Sequence, residues 1–211
     1  AWDILDLHGD AGVRTAADAS VPGGYGPDVL AIHGTHVIGL ARGARLGDGT
    51  AVALYRELEP QDKDADGIVA CRMQYGADVS EAHNTKEARP HLWFEMDSDS
   101  GVHFTWLDPD GKEQILAEHP GEGLVTDAWN RTGWIWQKVQ VAGASFRAKY
   151  WPAEQPEPTA WNIEATADIP PEGRVGFRMG SGAIHLAYFA TDDTDIAVPT
   201  PKAYLYCEHE Q

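Results

Sequence analysis

From Val29 onward this chain divides into about a dozen short segments, each bounded by Gly, Pro, Asp or Asn, and none keeps a helical apolar period beyond about two turns. The segments run Val29–Ile32, His36–Ala41, Ala51–Leu58, Ile68–Tyr75, the pair within His91–Leu107, Glu113–Ala117, Trp134–Val141, Ser145–Trp151, Trp161–Ala167, Arg174–Met179, Ala183–Ala190 and Ala203–Cys207. Strands at this spacing predict an all-β sandwich or barrel, because each must bury one face against another sheet. Residues 1–28, rich in Gly, Ala, Asp and Pro, read as a loop-rich lead-in, and 191–211 as an extension with a closing strand. With no internal repeat, one sandwich domain spanning 1–211 is the economical expectation.

The stretch HLWFEMDSDSGVHFTWL, His91 to Leu107, alternates like a hairpin with two different faces. Leu92, Phe94 and Met96 point one way, while His91, Trp93, Glu95 and Asp97 point the other. Asp99-Ser100-Gly101 supplies the turn; Val102, Phe104 and Trp106 resume the apolar rhythm, with His103 and Thr105 opposite. A strand face carrying imidazole, indole and carboxylate together is unusual surface. Elsewhere Arg72 and Gln74 alternate with Cys71 and Met73, and Arg147, Lys149 and Trp151 share one face of their strand, so these too are expected to face outward.

Charge narrows the partners. Sixteen Lys and Arg against 33 Asp and Glu leave a net −17, which opposes binding to nucleic-acid backbones or anionic membranes. The surface suits a neutral glycan, a cationic partner, bound calcium or high salt, and solubility alone would also explain it. No apolar run approaches the roughly 20 residues that cross a bilayer, so membrane insertion is not expected. Cys71 and Cys207 allow one disulfide and say little about compartment.

Several motifs invite chemistry. His33-Gly34-Thr35-His36-Val37-Ile38-Gly39 resembles the histidine motif of subtilisin-like proteases, but no serine nucleophile at a helix start accompanies it, so it reads as a strand with two histidines. Asp62, Asp64, Asp66 and Gly67 fit the first half of a calcium loop, with Met73 where the bidentate Glu would stand. Asp192, Asp193 and Asp195 form a second acidic cluster. The nine histidines lack zinc-ligand spacing with cysteine, and no phosphate-binding Gly loop appears.

The second half of the chain carries a resemblance. Arg147-Ala148-Lys149-Tyr150-Trp151-Pro152, a Pro/Glu loop ending in Ala160-Trp161, Gly173-Arg174-Val175-Gly176-Phe177, and the strand His185–Phe189 together resemble laminin-G-like domains of the concanavalin A-like lectin/glucanase superfamily. The likeness is best over residues 130–190. It implies a jelly-roll β-sandwich of two antiparallel sheets, a structural place for Trp161, and calcium near the sandwich edge at Asp192, Asp193 and Asp195. Lectins, carbohydrate-binding modules, glycosidases and lyases share that superfamily, so the fold alone does not choose among them.

Three readings follow. The leading one is a secreted or surface-exposed glycan-recognition module for an oligo- or polysaccharide, presenting Arg72, Gln74, His91, Trp93, Glu95, His103, Arg147 and Trp151 as one groove on one sheet. The second is an enzyme on the same face. Glu95-Met96-Asp97-Ser98-Asp99 resembles the E-x-D-x-E signature of laminarinase-type retaining glycosidases, departing from it at Asp99, and the spacing suits carboxylates about 5 Å apart. A lyase would instead want a base and a cation to neutralise a uronate, which His91, His103, Arg72 and Arg147 would provide if their strands adjoin. The third is a structural subunit of a virion or cell-surface assembly, with protein partners.

Overall fold

A computed structural model describes residues 2–6, 12–22, 25–58, 69–74, 89–97, 101–119, 133–180 and 182–198. Fourteen strands run through them: β1 (Trp2–Asp6), β2 (Gly12–Ala17), β3 (Asp28–His33), β4 (Val37–Leu46), β5 (Gly49–Glu57), β6 (Val69–Met73), β7 (His91–Asp97), β8 (Gly101–Leu107), β9 (Glu113–His119), β10 (Ile135–Ala142), β11 (Ser145–Pro152), β12 (Ile163–Thr166), β13 (Gly173–Met179) and β14 (Ala183–Asp192). They form two seven-stranded sheets, β1-β4-β13-β6-β7-β8-β9 and β12-β11-β10-β5-β14-β3-β2, in which every pairing is antiparallel. No helix long and apolar enough to cross a membrane occurs among the described residues.

Period-two patterning explains why the two sheets face each other. Leu92, Phe94, Phe104 and Trp106 turn inward from β7 and β8, and Phe146, Ala148 and Tyr150 turn inward from β11. Their rings interlock across the gap: Phe94 lies 5.4 Å from Phe104 and 5.9 Å from Tyr150, and Phe104 lies 6.3 Å from Phe146. Burial of this apolar surface, worth about 25 cal/mol per Å2, holds the sandwich together. Burial pushes the Tyr150 phenol well above its ordinary pKa, and drives the Cys71 thiol up to about 12 against the opposing charge of Arg72.

Two expectations about segments need correction. Residues 1–28 are not all loop, since β1 pairs with β4 and β2 pairs with β3. Both are edge strands, whose one-sided ladder tolerates small and polar residues and so weakens the apolar rhythm. In β1, Trp2 and Ile4 pack on the core, while Asp3 bonds Arg42 of the neighbouring β4 and Arg174 of β13, one strand beyond. The expected strand Ala203–Cys207, and Cys207 with it, lies outside the described residues.

The second correction concerns β6. Strict alternation would put Arg72 and Gln74 outside and Met73 inside. A bulge against β13 shifts the register between Arg174↔Met73 and Gly176↔Ala70, and Arg72 takes a φ of 50°. That extra residue turns Arg72 toward the sandwich interior and puts Met73 on the outer face with Ile38, Leu40 and Trp93. The bulge needs glycine opposite it: a Cβ on Gly173 would stand 2.3 Å from the Arg72 carbonyl carbon.

Candidate functional site

On the outer face of the first sheet, β7 and β8 bring together His91, Trp93, Glu95, His103 and Thr105, with Trp93↔Thr105 and Glu95↔His103 as register partners. The hairpin forms as its alternation dictates, and these groups bond to one another. Trp93 donates Nε1–H to Glu95 Oε2 at 2.8 Å, and the Thr105 hydroxyl donates to the same oxygen at 3.3 Å. The Arg178 guanidinium, delivered by β13, lies 3.9 Å from the Trp93 ring centroid and donates to Glu113 of β9 at 3.2 Å.

His91 completes the cluster. Its ring lies 4.9 Å from Trp93, and its Nδ1–H donates to the Arg89 carbonyl at 2.6 Å. Burial, reinforced by the positive charge of Arg178 and opposed by the Arg89 bond, pushes its pKa down to about 3, so the imidazole is neutral at ordinary pH. Among the described residues its buried Nε2 has no hydrogen-bond partner.

This face is not an open groove. His91 and Trp93 are each 1% exposed and His103 is buried, so among the described side chains expected here only Glu95 is half-open to solvent. Arg72 does not join them. Its guanidinium donates to the carbonyls of Gly143 at 2.8 Å and Gly47 at 3.3 Å, and packs 5.2 Å from the Phe146 ring. Gln74, just past β6, donates to the backbone carbonyls of Arg72 and Glu172. Arg147 and Trp151 stand on the outer face of the other sheet. The expected single groove is therefore divided among three places, because the β6 bulge and the two-sheet topology separate strands that the sequence alone allowed to be neighbours.

The outer face of the second sheet is graded along its strands. At one end Trp136 stacks near Trp151 at 6.3 Å, and Tyr25 and Tyr188 lie edge-on to Trp136 at 5.4 and 5.6 Å. Val21, Ile196 and Val198 pack on this cluster, so Trp151 is buried and offers no stacking surface. Asp18 fastens the covering segment. It pairs with Arg56, accepts from His185 Nδ1 at 2.6 Å, and accepts the Ser20 hydroxyl at 2.7 Å. Burial opposes ionisation of Asp18, yet these partners hold its carboxyl far below the usual range.

A cationic waist comes next. Lys138 and Lys149, register partners on β10 and β11, both reach Glu157, at 2.9 and 2.8 Å. Lys138 also pairs with Asp195 at 2.7 Å and donates to the Ile196 carbonyl, and Lys149 donates to the Pro158 carbonyl. Burial disfavours the Glu157 anion, but the two lysines outweigh it and lower its pKa.

Beyond the waist the face opens. Register pairing sets Gln140, Arg147 and Glu164 in one row across β10, β11 and β12, with Ala142, Ser145 and Thr166 in the next. These residues, with Phe146 and Ala165, line a cleft of about 460 Å3, inside the range of small-ligand sites. Arg147 donates Nε–H to Gln140 Oε1 at 2.7 Å and lays its guanidinium 4.4 Å from the Trp161 ring centroid; Lys149 Nζ lies 4.6 Å from the same ring. Both cations rise from one strand face, so the half-buried indole of Trp161 lies across that face.

Of the expected site residues only Arg147 belongs here. Its other charged and polar residues, Gln140 and Glu164, are not among those the sequence singles out, and the resemblance gives Trp161 a structural place. The alternation of Ile163-Glu164-Ala165-Thr166 was a readable sign that Glu164 and Thr166 face out; which strand they lie beside was not readable.

The acidic cluster after β14 does not converge on a cation. Asp192 Oδ1 caps the backbone and hydroxyl of Thr194, and Asp195 turns to Lys138. No group of three metal-ligating side chains is gathered among the described residues. Of the three carboxylates expected to hold calcium, Asp192 and Asp195 thus have protein partners. Asp62, Asp64 and Asp66 lie outside the described residues, and so does the side chain of Asp97.

No family model matches the chain, and no curated protein matches it in sequence. Solved structures match it in shape. It is similar to the carbohydrate-binding module CBM66 from Bacillus subtilis, with a TM-score of 0.60 at 12% identity over 90% of this chain and 94% of that one. It is also similar to the exoplasmic/lumenal domain of VIP36 in a Ca2+/Man3GlcNAc-bound form, with a TM-score of 0.52 at 10% identity over 96% and 89%. A third likeness is to a prokaryotic β-1,3-1,4-glucanase (lichenase) derived from a mouse hindgut metagenome, with a TM-score of 0.50 at 11% identity over 91% and 92%. At such identities the likeness is one of architecture: the chain has the concanavalin A-like jelly-roll sandwich of two antiparallel sheets that its sequence led us to expect.

Proposed function

We propose that this protein is a glycan-recognition module of a secreted or surface-exposed protein, and that it takes its saccharide in the cleft across β10, β11 and β12. The observation that carries this reading is the open row Gln140, Arg147, Glu164 beside Trp161. Sugar hydroxyls require donors and acceptors close together, and a pyranose offers an apolar C–H face to an aromatic ring; this cleft supplies both. The carbohydrate-binding and lectin neighbours of the same fold support the reading. A glycan array probed with and without calcium tests it. Binding that is lost in Arg147→Ala and Trp161→Ala is the expected result, and silence across neutral and acidic glycans overturns it. The calcium arm also tests Asp62, Asp64 and Asp66, and Asp192, Asp193 and Asp195, as ligands.

A second reading has one observation in its favour. Glu95 is held by the Trp93 indole and the Thr105 hydroxyl with an imidazole opposite, the kind of fixed carboxylate a retaining glycosidase requires. Release of reducing ends that disappears in Glu95→Gln would establish it, and no release from any glycan bound on the array would remove it.

A further inference from the structure

Resting on the reading above, we infer that the β10–β12 cleft selects a neutral sugar carrying a vicinal diol, with one hydroxyl bridging Arg147 and Glu164, and that it rejects uronates and sulfated sugars. Arg147 and Glu164 are directly opposed across β11 and β12, a placement that puts Cβ atoms about 5 Å apart and ordinarily yields an ion pair. Here they do not pair. The guanidinium is drawn the other way, its Nε spent on Gln140 and its plane laid on Trp161.

Each charge therefore keeps unused capacity at the mouth of the cleft. Among the described residues nothing accepts from the Arg147 Nη groups, and nothing donates to the exposed Glu164 carboxylate. A group that fits between them must accept from a guanidinium and donate to a carboxylate at once. A hydroxyl does both. A carboxylate or sulfate satisfies Arg147 but cannot donate to Glu164 and is repelled by it; an ammonium has the converse defect. A second hydroxyl on the adjacent carbon would reach the next row, where Ser145 and Thr166 stand. Ala142 supplies apolar wall for the ring carbons. The net charge of −17 adds a long-range bias against polyanions.

The test compares matched pairs on one array: galactan against polygalacturonate, mannan against alginate, and dextran against dextran sulfate, each also after periodate cleavage of vicinal diols. The intact protein is expected to bind neutral members only, and to lose at least tenfold in affinity after periodate. Glu164→Gln, an exposed change that leaves folding intact by near-UV circular dichroism, should weaken neutral binding about tenfold while admitting acidic members. Equal or stronger binding of acidic glycans by the intact protein overturns the selectivity. If that binding is still lost in Arg147→Ala, the recognition reading stands without it. No binding to any member overturns both.

Discussion

The outer faces of the two sheets use the same kinds of residue to opposite ends. On the first, Trp93, His91, Glu95 and Arg178 are stacked and bonded to one another, and the two rings are almost wholly covered. On the second, Trp161, Arg147, Gln140 and Glu164 form an equally aromatic and charged group that stays open to solvent. Both groups contain an arginine lying on an indole. What separates them is how much of the polar capacity is already taken. Arg178 reaches Glu113, and Glu95 receives two donors, whereas Arg147 and Glu164 stand opposite each other without pairing. Residue type therefore marks neither face as a binding surface; unspent hydrogen bonds and access do.

The sharpest way to break this contrast is to remove each indole in turn. Trp93→Ala should destabilise the fold by about 3–5 kcal/mol, as expected for truncating a fully buried aromatic. Trp161→Ala should lose only about 1 kcal/mol of stability, the scale of its cation–π contacts, yet abolish glycan binding. Urea denaturation and the array read the two effects separately. Similar stability losses would show that the faces do not differ.

Next in size is the waist. Lys138→Ala removes a buried cation shared by Glu157 and Asp195 and should lower stability by about 2 kcal/mol, measured as a fall in urea midpoint at constant slope. Because Glu157 belongs to the segment leading to Trp161, glycan affinity should fall as well.

A pH series sharpens the comparison further. Folded His91 remains neutral down to about pH 3, whereas the unfolded chain protonates this residue near pH 6.5. Between those values the unfolded chain holds the extra proton, so stability drops as acid is added through this window. His91→Gln should flatten that limb of the urea midpoint against pH. The depressed carboxylates Asp3, Asp18 and Glu157 act in a lower window. Their contribution is present above about pH 4, near the unfolded value, and fades as pH falls below it, so Asp18→Asn should lower stability above pH 4 and flatten the acid limb below it.

The fold was legible because burial imposes a period of two. The hairpin His91–Leu107, the pair around Gly143-Ala144, and the segments Arg174–Met179 and Ala183–Ala190 all alternate strongly, and each is a strand. Edge strands escaped notice: β2 is mostly open, so nothing forces its residues to alternate. The site was less legible for three physical reasons. Arg72 broke the rhythm through a bulge that no local residue announces. Trp151 was aimed outward as expected, then covered by Tyr188, Val21 and Ile196 from distant parts of the chain. Glu164 became a neighbour of Arg147 only through a register set by the β11–β12 pairing, which no alternation pattern encodes.

The inward turn of Arg72 has a consequence for the cleft. Its guanidinium grips the Gly143 carbonyl while Asp48 receives the Gly143 amide at 2.7 Å, so the tip of the β10–β11 hairpin is clamped from the opposite sheet. A two-residue hairpin end would otherwise fluctuate, and an arriving saccharide would have to freeze it. With Ala142 and Ser145 already immobilised at the rim, a saccharide taken there would pay a smaller entropic penalty, and a side chain that touches no ligand would still help set how long one stays.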